Sequence, residues 1–538
     1  MLIRSAADRA QLEAGVLRAV IEDHVALPSG AADLFEDPDH QKLFAFLSFA
    51  YIRNEPLDPT TFRHPYSEIA ARVLAAPALN GELPAAVERL ANHKFEEPEE
   101  CSDVGNARRF LAANRHRVRW DHTRGAWYLW DGKRFKADED GGAVREAMQV
   151  VGTIHREAAE ADGDRRKELA RHALASQGAH AIQDLLSIAR DLEPIATTTT
   201  RCDSNPLLLN CENGLLDLRT LRLCPHDPTQ NCTRLFQAPY LPGEEASRWR
   251  AFLADVFGED AETVAFLQRY LGYALSGLTD AQVSVFFYGN GRNGKSTLIA
   301  ALMQLFSDYG RRAPASLLLQ DRRDPGAATP EMAALPGVRL VVLPEVEENR
   351  RLSEVAFKDL TGQDVVSARH LYQNHFSFSP VAKYILSGNH RPVVRGTDLG
   401  VWRRIALVNF RRTIPEEKVR PMAELLDGFR SEAAGILSWL IEGWTAYQAG
   451  GLNIPRSVRE ATDQYRSDSD AVSNFLAEET TADPIASTAF GEMYDAFRHY
   501  GNDGTSRRRF GELLREHGVE VVAGSGNRKF VHGRRLLS

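Results

Sequence analysis

Cysteine is scarce in this sequence, and so are long apolar runs and any overall surplus of positive charge. Five cysteines in 538 residues do not suggest a disulfide framework. Four of them, Cys202, Cys211, Cys224 and Cys232, fall close together with His226 nearby. No two form the C-x-x-C pair that usually sets half of a zinc tetrahedron, so ordinary buried thiols are expected rather than a metal site. Apolar runs such as Val283–Phe287, interrupted by Ser284, fall far short of the ~18 residues that cross a bilayer. The opening MLIRSAADRAQLEAG lacks the apolar core of a secretory signal. The expectation is a cytoplasmic protein without a membrane partner.

What is present has the balance of a globular protein. Hydrophobic residues make up 43% and charged residues 26%, which excludes disorder as the main state and a fibrous repeat. At roughly 150 residues per domain, the length suggests three or four domains. The net charge of −8 resides in the first 100 residues, where nine Lys/Arg face seventeen Asp/Glu. The tail, 502–538, has eight Lys/Arg against four acids. An acidic front suits protein partners, and a basic tail suits phosphate.

Periodicity divides the chain. Helical spacing runs through 10–75, in LEAGVLRAVI and HQKLFAFLSFAYI. FEEPEECSD (95–103) marks a boundary. AWYLWDGKRF reads as a strand pair turning at Asp131-Gly132, with helices from about 142 to 192. The stretch 196–240 has strand-type segments, and 246–275 is helical again. After 412 the chain turns helical. GLNIPRSVREATDQYRSDSD (451–470) reads as a partly helical linker before a compact end piece, 471–538.

The most informative stretch is GNGRNGKST at 289–297, which fits G-x-x-x-x-G-K-[ST]. Glycines let the backbone N–H groups of Gly289, Asn290, Gly291, Arg292, Asn293 and Gly294 converge on phosphates. Lys295 adds charge, Ser296 offers a hydroxyl to Mg²⁺, and Thr297 continues into the helix STLIAALMQLF. The buried strand VSVFFY immediately before strengthens the reading. Such a site needs a carboxylate at the end of another buried strand. VRLVVLPEVEE (338–348) supplies Glu345 for the metal, with Glu347 as the alternate base. A third strand, AKYILSGN, ends in Asn389, which could sense a γ-phosphate. WRRI then presents Arg403 and Arg404, either of which could neutralise transition-state charge on a neighbouring subunit.

In this order, GNGRNGKST, RLVVLPEVEE, FKDLTGQDVVSARHLYQNHFSFSPVAKYILSGN and GVWRRIALVNF resemble the helicase core of the phage/plasmid primase family. These are superfamily 3 helicases of satellite phages, plasmids and poxviruses. The likeness is close over about 245–412, and SNPLLLNCENGLLDLRTLRLCPHDP (204–228) is similar to the domain preceding that core. The resemblance implies an α/β P-loop ATPase core of AAA+-like type over 245–450, preceded by an α+β domain over 100–244. It implies a ring, usually a hexamer, with ATP and Mg²⁺ at subunit interfaces. It makes Arg403 or Arg404 the finger supplied in trans. A pore hairpin between Val365 and Phe378 would offer Arg369, His370, Tyr372 and Gln373 to single-stranded DNA, where cations track the backbone and a ring stacks on bases.

Two regions depart from the commonest family pattern. Residues 1–95 read as a helical domain resembling the N-terminal domain of the replicative helicase DnaB, which implies contact with a separate primase or loader. D-x-D patterns occur at Asp138/Asp140 and Asp468/Asp470 in polar stretches, so no primer synthesis is expected. The end piece, 471–538, reads as a winged helix. Ser506 would cap a recognition helix opened by Arg507, Arg508 and Arg509, with Arg528 and Lys529 on the wing. The expected function is an ATP-dependent ring helicase that translocates on single-stranded and forked DNA to replicate a mobile element in a bacterial host cell. The alternatives are an ATP-dependent origin-binding initiator and a duplex DNA packaging motor.

Overall fold

The computed structural model describes residues 6–22, 100–320, 329–344, 350–371, 373–394, 399–501, 505–523 and 529–537, with isolated positions at 35, 40, 43, 44, 70, 73 and 74. The chain forms two units. One comprises 1–203 with 225–233, the other 204–224 with 234–538. A helix spans Ala6–Glu22; most of the stretch likened to DnaB lies outside the described residues.

In the first unit a helix begins at Asp103, capped by Ser102, whose Oγ accepts from Gly105 N at 3.1 Å. The strands are β1 (Val118–Asp121), β2 (Ala126–Trp130), β3 (Phe135–Ala137) and β4 (Ala196–Thr197), in sheet order β3-β2-β1-β4. The turn at Asp131-Gly132 forms as its sequence demands. Asp131 Oδ1 accepts from Lys133 N and Arg134 N, both at 2.9 Å. Helices Gly142–Glu160, Gly163–Ala175 and Ala179–Ala189 follow, and Phe110, Val150, Leu185 and Ile195 close the core with Trp127.

The second unit opens with an antiparallel meander, β5 (Leu208–Cys211), β6 (Gly214–Asp217) and β7 (Arg222–Cys224). Its centre is a five-stranded parallel sheet made of β8 (Ser284–Tyr288), β9 (Gly310–Arg312), β10 (Leu340–Leu343), β13 (Lys383–Gly388) and β14 (Ile405–Asn409), in order β14-β8-β13-β10-β9. The runs SVFFY, LVVL and KYILSG are apolar almost throughout because both faces of these strands are covered. Between β10 and β13, strands β11 (Val366–Arg369) and β12 (His375–Phe378) form an antiparallel hairpin.

The amino end of this sheet is sealed by two buried cations. Arg339 donates to Leu275 O and to Leu208 O (2.7 Å) and lies 4.5 Å over the Tyr309 ring. Lys383 Nζ donates to Ser276 O (2.5 Å) and Val381 O (3.0 Å), over the Tyr273 ring. Burial holds the Lys383 ammonium well below the usual lysine range. Helix Ala433–Gly450 is buried on nearly every side and crosses helix Ala261–Tyr273 through glycines. A Cβ on Gly443 would lie 2.0 Å from Gln268 O, and one on Gly272 would lie 2.4 Å from Leu440 O. No helix among the described residues is long and apolar enough to cross a membrane.

Two expected boundaries shift. The segment 204–224, read as part of a 100–244 domain, belongs with the second unit, where Trp444 Nε1 donates to Leu218 O at 2.7 Å. The segment 451–470, read as a linker, is mostly the helix Arg456–Ser469 packed against β14. Val458, Ala461 and Tyr465 form its buried stripe, and Thr462 Oγ1 accepts from Leu407 N at 3.0 Å. The polar remainder of that helix hid the stripe. The end piece contains helix Ala471–Glu478, β15 (Thr480–Ala489), helices Phe490–Gly501 and Arg507–Glu516, β16 (Val521–Ala523) and β17 (Lys529–Leu536), with sheet order β15-β17-β16.

The glycine crossing generates a stability prediction. Gly443→Ala should destabilise the protein by about 1–3 kcal/mol through overpacking against backbone that cannot yield. Denaturant unfolding followed by tryptophan fluorescence measures it.

Candidate functional site

The carboxyl ends of the parallel strands meet at a cleft of about 630 Å³, lined by Gly291–Thr297, Arg312, Pro344 and Ser387–His390. This is the edge where open α/β sheets bind ligands. β8 delivers the chain into the glycine-rich loop, and helix Lys295–Phe306 leaves it. Gly289 has φ +156°, and a Cβ there would lie 2.5 Å from Phe410 O. Gly294, at φ +81°, caps the helix, and a Cβ would lie 2.5 Å from Val256 Cγ2. Neither position admits a side chain. Asn293 pins the loop from within. Its Nδ2 donates to Asn290 O (3.2 Å) and Phe410 O (3.3 Å), while its Oδ1 accepts from Lys295 N (3.4 Å).

Lys295 Nζ donates to Gly289 O and to Asn389 Oδ1 (3.2 Å). Burial lowers its pKa from the ordinary lysine value. Asn389 follows the end of β13, level with the end of β8 because Gly388 pairs with Tyr288. Ser296 and Thr297 line the cleft from the first turn of the helix. Pro344 lies at the end of β10; Glu345 and Glu347, next in sequence, are outside the described residues. Two ionisable lining residues were not anticipated, Arg312 and His390. Arg312 is exposed at the end of edge strand β9. That strand is only three residues long, Gly-Arg-Arg, and carries no apolar pattern to announce it. No Asp or Glu is among the described residues lining this cleft.

The other anticipated residues lie apart from the cleft lining. Burial separates the two adjacent arginines. Arg404 is 9% exposed and donates to Gly400 O at 2.6 Å, whereas Arg403 is exposed and donates to Gln282 Oε1 at 3.1 Å. On the β11–β12 hairpin, Arg369, His370 and Gln373 are half-buried. His370 stacks on Phe376, with centroids 5.4 Å apart. The exposed positions near its turn are Leu371, Asn374 and His375, and Tyr372 is outside the described residues.

In the end piece Ser506 Oγ accepts from Arg509 N at 3.3 Å. Arg507 lies 5.2 Å over the Tyr494 ring, and Arg508 and Arg509 share Glu512 at 3.2 and 3.3 Å. Arg507, Arg508 and Lys529 line one concavity with Phe490 and Phe530; Arg528 is outside the described residues. The D-x-D aspartates are engaged locally. Asp138 accepts from Gly142 N (2.7 Å) and Ala143 N (2.9 Å), Asp140 pairs with Arg145, Asp468 with Arg391 and Asp470 with His517. Burial alone would raise the Asp138 pKa, but its backbone donors outweigh this and lower it. The cysteines are free thiols, and burial pushes Cys202 up to about 12. No group of His, Cys, Asp and Glu able to hold a metal occurs among the described residues.

Fold and site together define an α/β protein with a glycine-rich loop at the carboxyl edge of a parallel sheet. Residues 107–258 match the family described as D5 N terminal like, and 287–404 match a family of unknown function, DUF5906. The chain is 25% identical over 295 residues to the putative helicase L207/L206 of Acanthamoeba polyphaga mimivirus, covering 51% of this chain and 31% of that protein. It is 26% identical over 285 residues to the putative helicase 022R of Frog virus 3, covering 49% and 29%. It is 23% identical over 334 residues to the putative primase C962R of African swine fever virus (isolate Pig/Kenya/KEN-50/1950), covering 57% and 34%. The matched part is thus about a third of the length of these relatives. The solved apo structure of the NrS-1 C-terminal region aligns over 77% of this chain and 95% of its own, at 11% identity and a TM-score of 0.42. The chain is thus similar to viral proteins named putative helicases and putative primases.

Buried Lys295 would make the binding of an anion in this cleft pH-dependent. Its pKa is depressed in the free protein and rises when an anion arrives, so binding should weaken from neutral to alkaline pH and take up protons. Calorimetric titrations in two buffers of different ionisation enthalpy measure that uptake.

Proposed function

We propose that the chain is an ATP-driven DNA helicase of mobile-element replication, built on a P-loop core and working as a ring, with a C-terminal winged helix. The observation that carries this reading is the cationic cleft at the sheet edge, lined by Arg292, Lys295 and Arg312, with Lys295 held between Gly289 and Asn389. The viral relatives named putative helicases support it.

In this reading the loop N–H groups and Lys295 hold the β- and γ-phosphates, and Asn389 reports the γ-phosphate. Ser296 and Glu345 would hold Mg²⁺, since a hydroxyl and a carboxylate are the hard oxygen donors it prefers. The ion supplies charge neutralisation on the phosphate oxygens. Glu345 or Glu347 would take the proton of the attacking water as the bond between the γ-phosphorus and the bridging oxygen breaks. Of the two arginines, exposed Arg403 is the better finger for a neighbouring subunit; Arg404 is committed to its own chain. The hairpin between β11 and β12 would meet single-stranded DNA, and the concavity of Arg507, Arg508 and Lys529 would meet DNA phosphates. The acidic N-terminal region would face a separate primase or loader. Relatives named primases make primer synthesis worth assaying directly, and none is expected of this chain.

Lys295→Ala should reduce ATP hydrolysis by about a hundredfold or more and abolish its stimulation by single-stranded DNA. Hydrolysis indifferent to DNA in the wild type would favour the initiator alternative, and Glu345→Gln, which should assemble without hydrolysing, separates the two. Strand separation on a forked duplex distinguishes a helicase from a packaging motor. Arg312→Ala should raise the KM for ATP roughly tenfold to a hundredfold, the worth of a charge-assisted hydrogen bond, with Arg312→Lys recovering part of it. Steady-state kinetics at low salt measures both.

A further inference from the structure

The contact between Lys295 and Asn389 requires that Asn389 be held in place, and the residues after it are fastened in a way that does so. Asn389 and His390 are exposed in the bend that follows β13. Arg391, next along, is half-buried and does not line the cleft. Its guanidinium lies over two rings, 5.3 Å from the Tyr288 centroid and 5.1 Å from the Tyr465 centroid. Its Nη2 donates to Asp468 Oδ2 at 2.9 Å. The other oxygen of that carboxylate accepts from Gln464 Nε2 at 2.7 Å, which fixes its direction.

The two rings stand at informative places. Tyr288 is the last residue of β8, and Gly289, whose carbonyl accepts from Lys295 Nζ, comes next. Tyr465 is buried on the helix Arg456–Ser469, and its Oη donates to Pro392 O. One guanidinium thus touches the residue before the glycine-rich loop and a helix packed against the sheet. Its own backbone follows Asn389 by two residues. The two groups that accept from the Lys295 ammonium are both bracketed by it. The segment beyond is anchored as well: Val393 N donates to Arg350 O at 2.7 Å, and Leu352 N donates to Val393 O at 3.0 Å. Asn389 therefore sits in a short exposed span between the end of β13 and fixed backbone.

An exposed Arg–Asp pair by itself contributes little. Arg391 adds two aromatic contacts to that pair, and its flat, delocalised cation suits ring faces in a way that a lysine ammonium only partly reproduces. We infer that Arg391 is a positioning residue of the cleft: it ties the exit of β13 to the end of β8 and to the helix Arg456–Ser469, and so sets Asn389 opposite Lys295. It acts through Asn389 and touches no ligand. The inference rests on the nucleotide-site reading above, in which Asn389 meets the γ-phosphate. Arg391 then bears on turnover of a nucleoside triphosphate and hardly on the binding of a diphosphate.

The test is steady-state ATP hydrolysis by the full chain, with MgADP affinity measured by calorimetric titration. Arg391→Ala should lower kcat about tenfold to a hundredfold, the cost of a small misplacement near a reacting group. MgADP affinity should stay within about twofold of wild type. Arg391→Lys should recover part of the loss. The sharpest comparison is Asn389→Ala with and without Arg391→Ala: once Asn389 is gone, removing Arg391 should cost no more than about a further twofold. Asp468→Asn changes an exposed position and serves if Arg391→Ala does not fold. It should lower kcat about twofold to fivefold, and add no further loss to Asn389→Ala. Unchanged kcat in both the Arg391 and Asp468 variants, losses that multiply with that of Asn389→Ala, or MgADP affinity falling in step with kcat overturns the inference. Wild-type protein that hydrolyses no ATP overturns the nucleotide reading itself, whereas an active wild type with unaffected variants overturns only the role of Arg391.

Discussion

The site depends on the parallel register of β8 and β13. Val285 to Tyr288 run beside Ile385 to Gly388 in step, so both strands finish at the same level. The glycine-rich loop leaves one and Asn389 follows the other, which brings the Lys295 ammonium within 3.2 Å of a side chain 94 residues away. A slip of one residue would turn each side chain of β13 to the opposite face and remove this contact. Apolar burial on both faces enforces the register. Phe286 and Leu386 belong to one side of the sheet, Val285, Phe287 and Ile385 to the other.

The two ends of that sheet treat positive charge in opposite ways. At the amino end Arg339 and Lys383 are surrounded by backbone carbonyls and aromatic faces, and nothing is left for a ligand. At the carboxyl end Lys295 and Arg312 line open space without carboxylates among the described neighbours. A buried cation satisfied by carbonyls organises the chain, while one facing an open cleft is available to an anion. Residue type alone does not distinguish the roles; the position along a parallel strand does.

This difference explains what was legible in the sequence. The loop at 289–297 could be read because its chemistry is local: glycines, a lysine and a hydroxyl at fixed spacing after an apolar strand. Asn389 could be read from the strand before it. Arg312 could not, because its place in the cleft comes from β10 lying alongside β9, and β10 is nearly thirty residues further on. The packing of helix Arg456–Ser469, expected only as part of a partly helical linker, escaped for the opposite reason. Its three buried residues follow helical spacing, but the charged majority outweighed them. In the hairpin the strand pairing was legible, whereas the stacking of His370 on Phe376 was not. The placement of 204–224 was hidden because its indole partner, Trp444, is 226 residues from Leu218.

That last separation bears on how the chain is made. Residues 204–224 are synthesised early, yet the groups that bury them arrive late: Arg339 for Leu208 O and Trp444 for Leu218 O. A nascent chain carries the β5–β7 meander with those carbonyls and its apolar face unfilled until the ribosome has passed residue 444. Contacts of such long sequence separation form slowly, and the waiting surface invites wrong pairing. The first strands of the second unit therefore complete their packing only after residue 444 has been made, and a chaperone that covers them in the interval would spare them that risk.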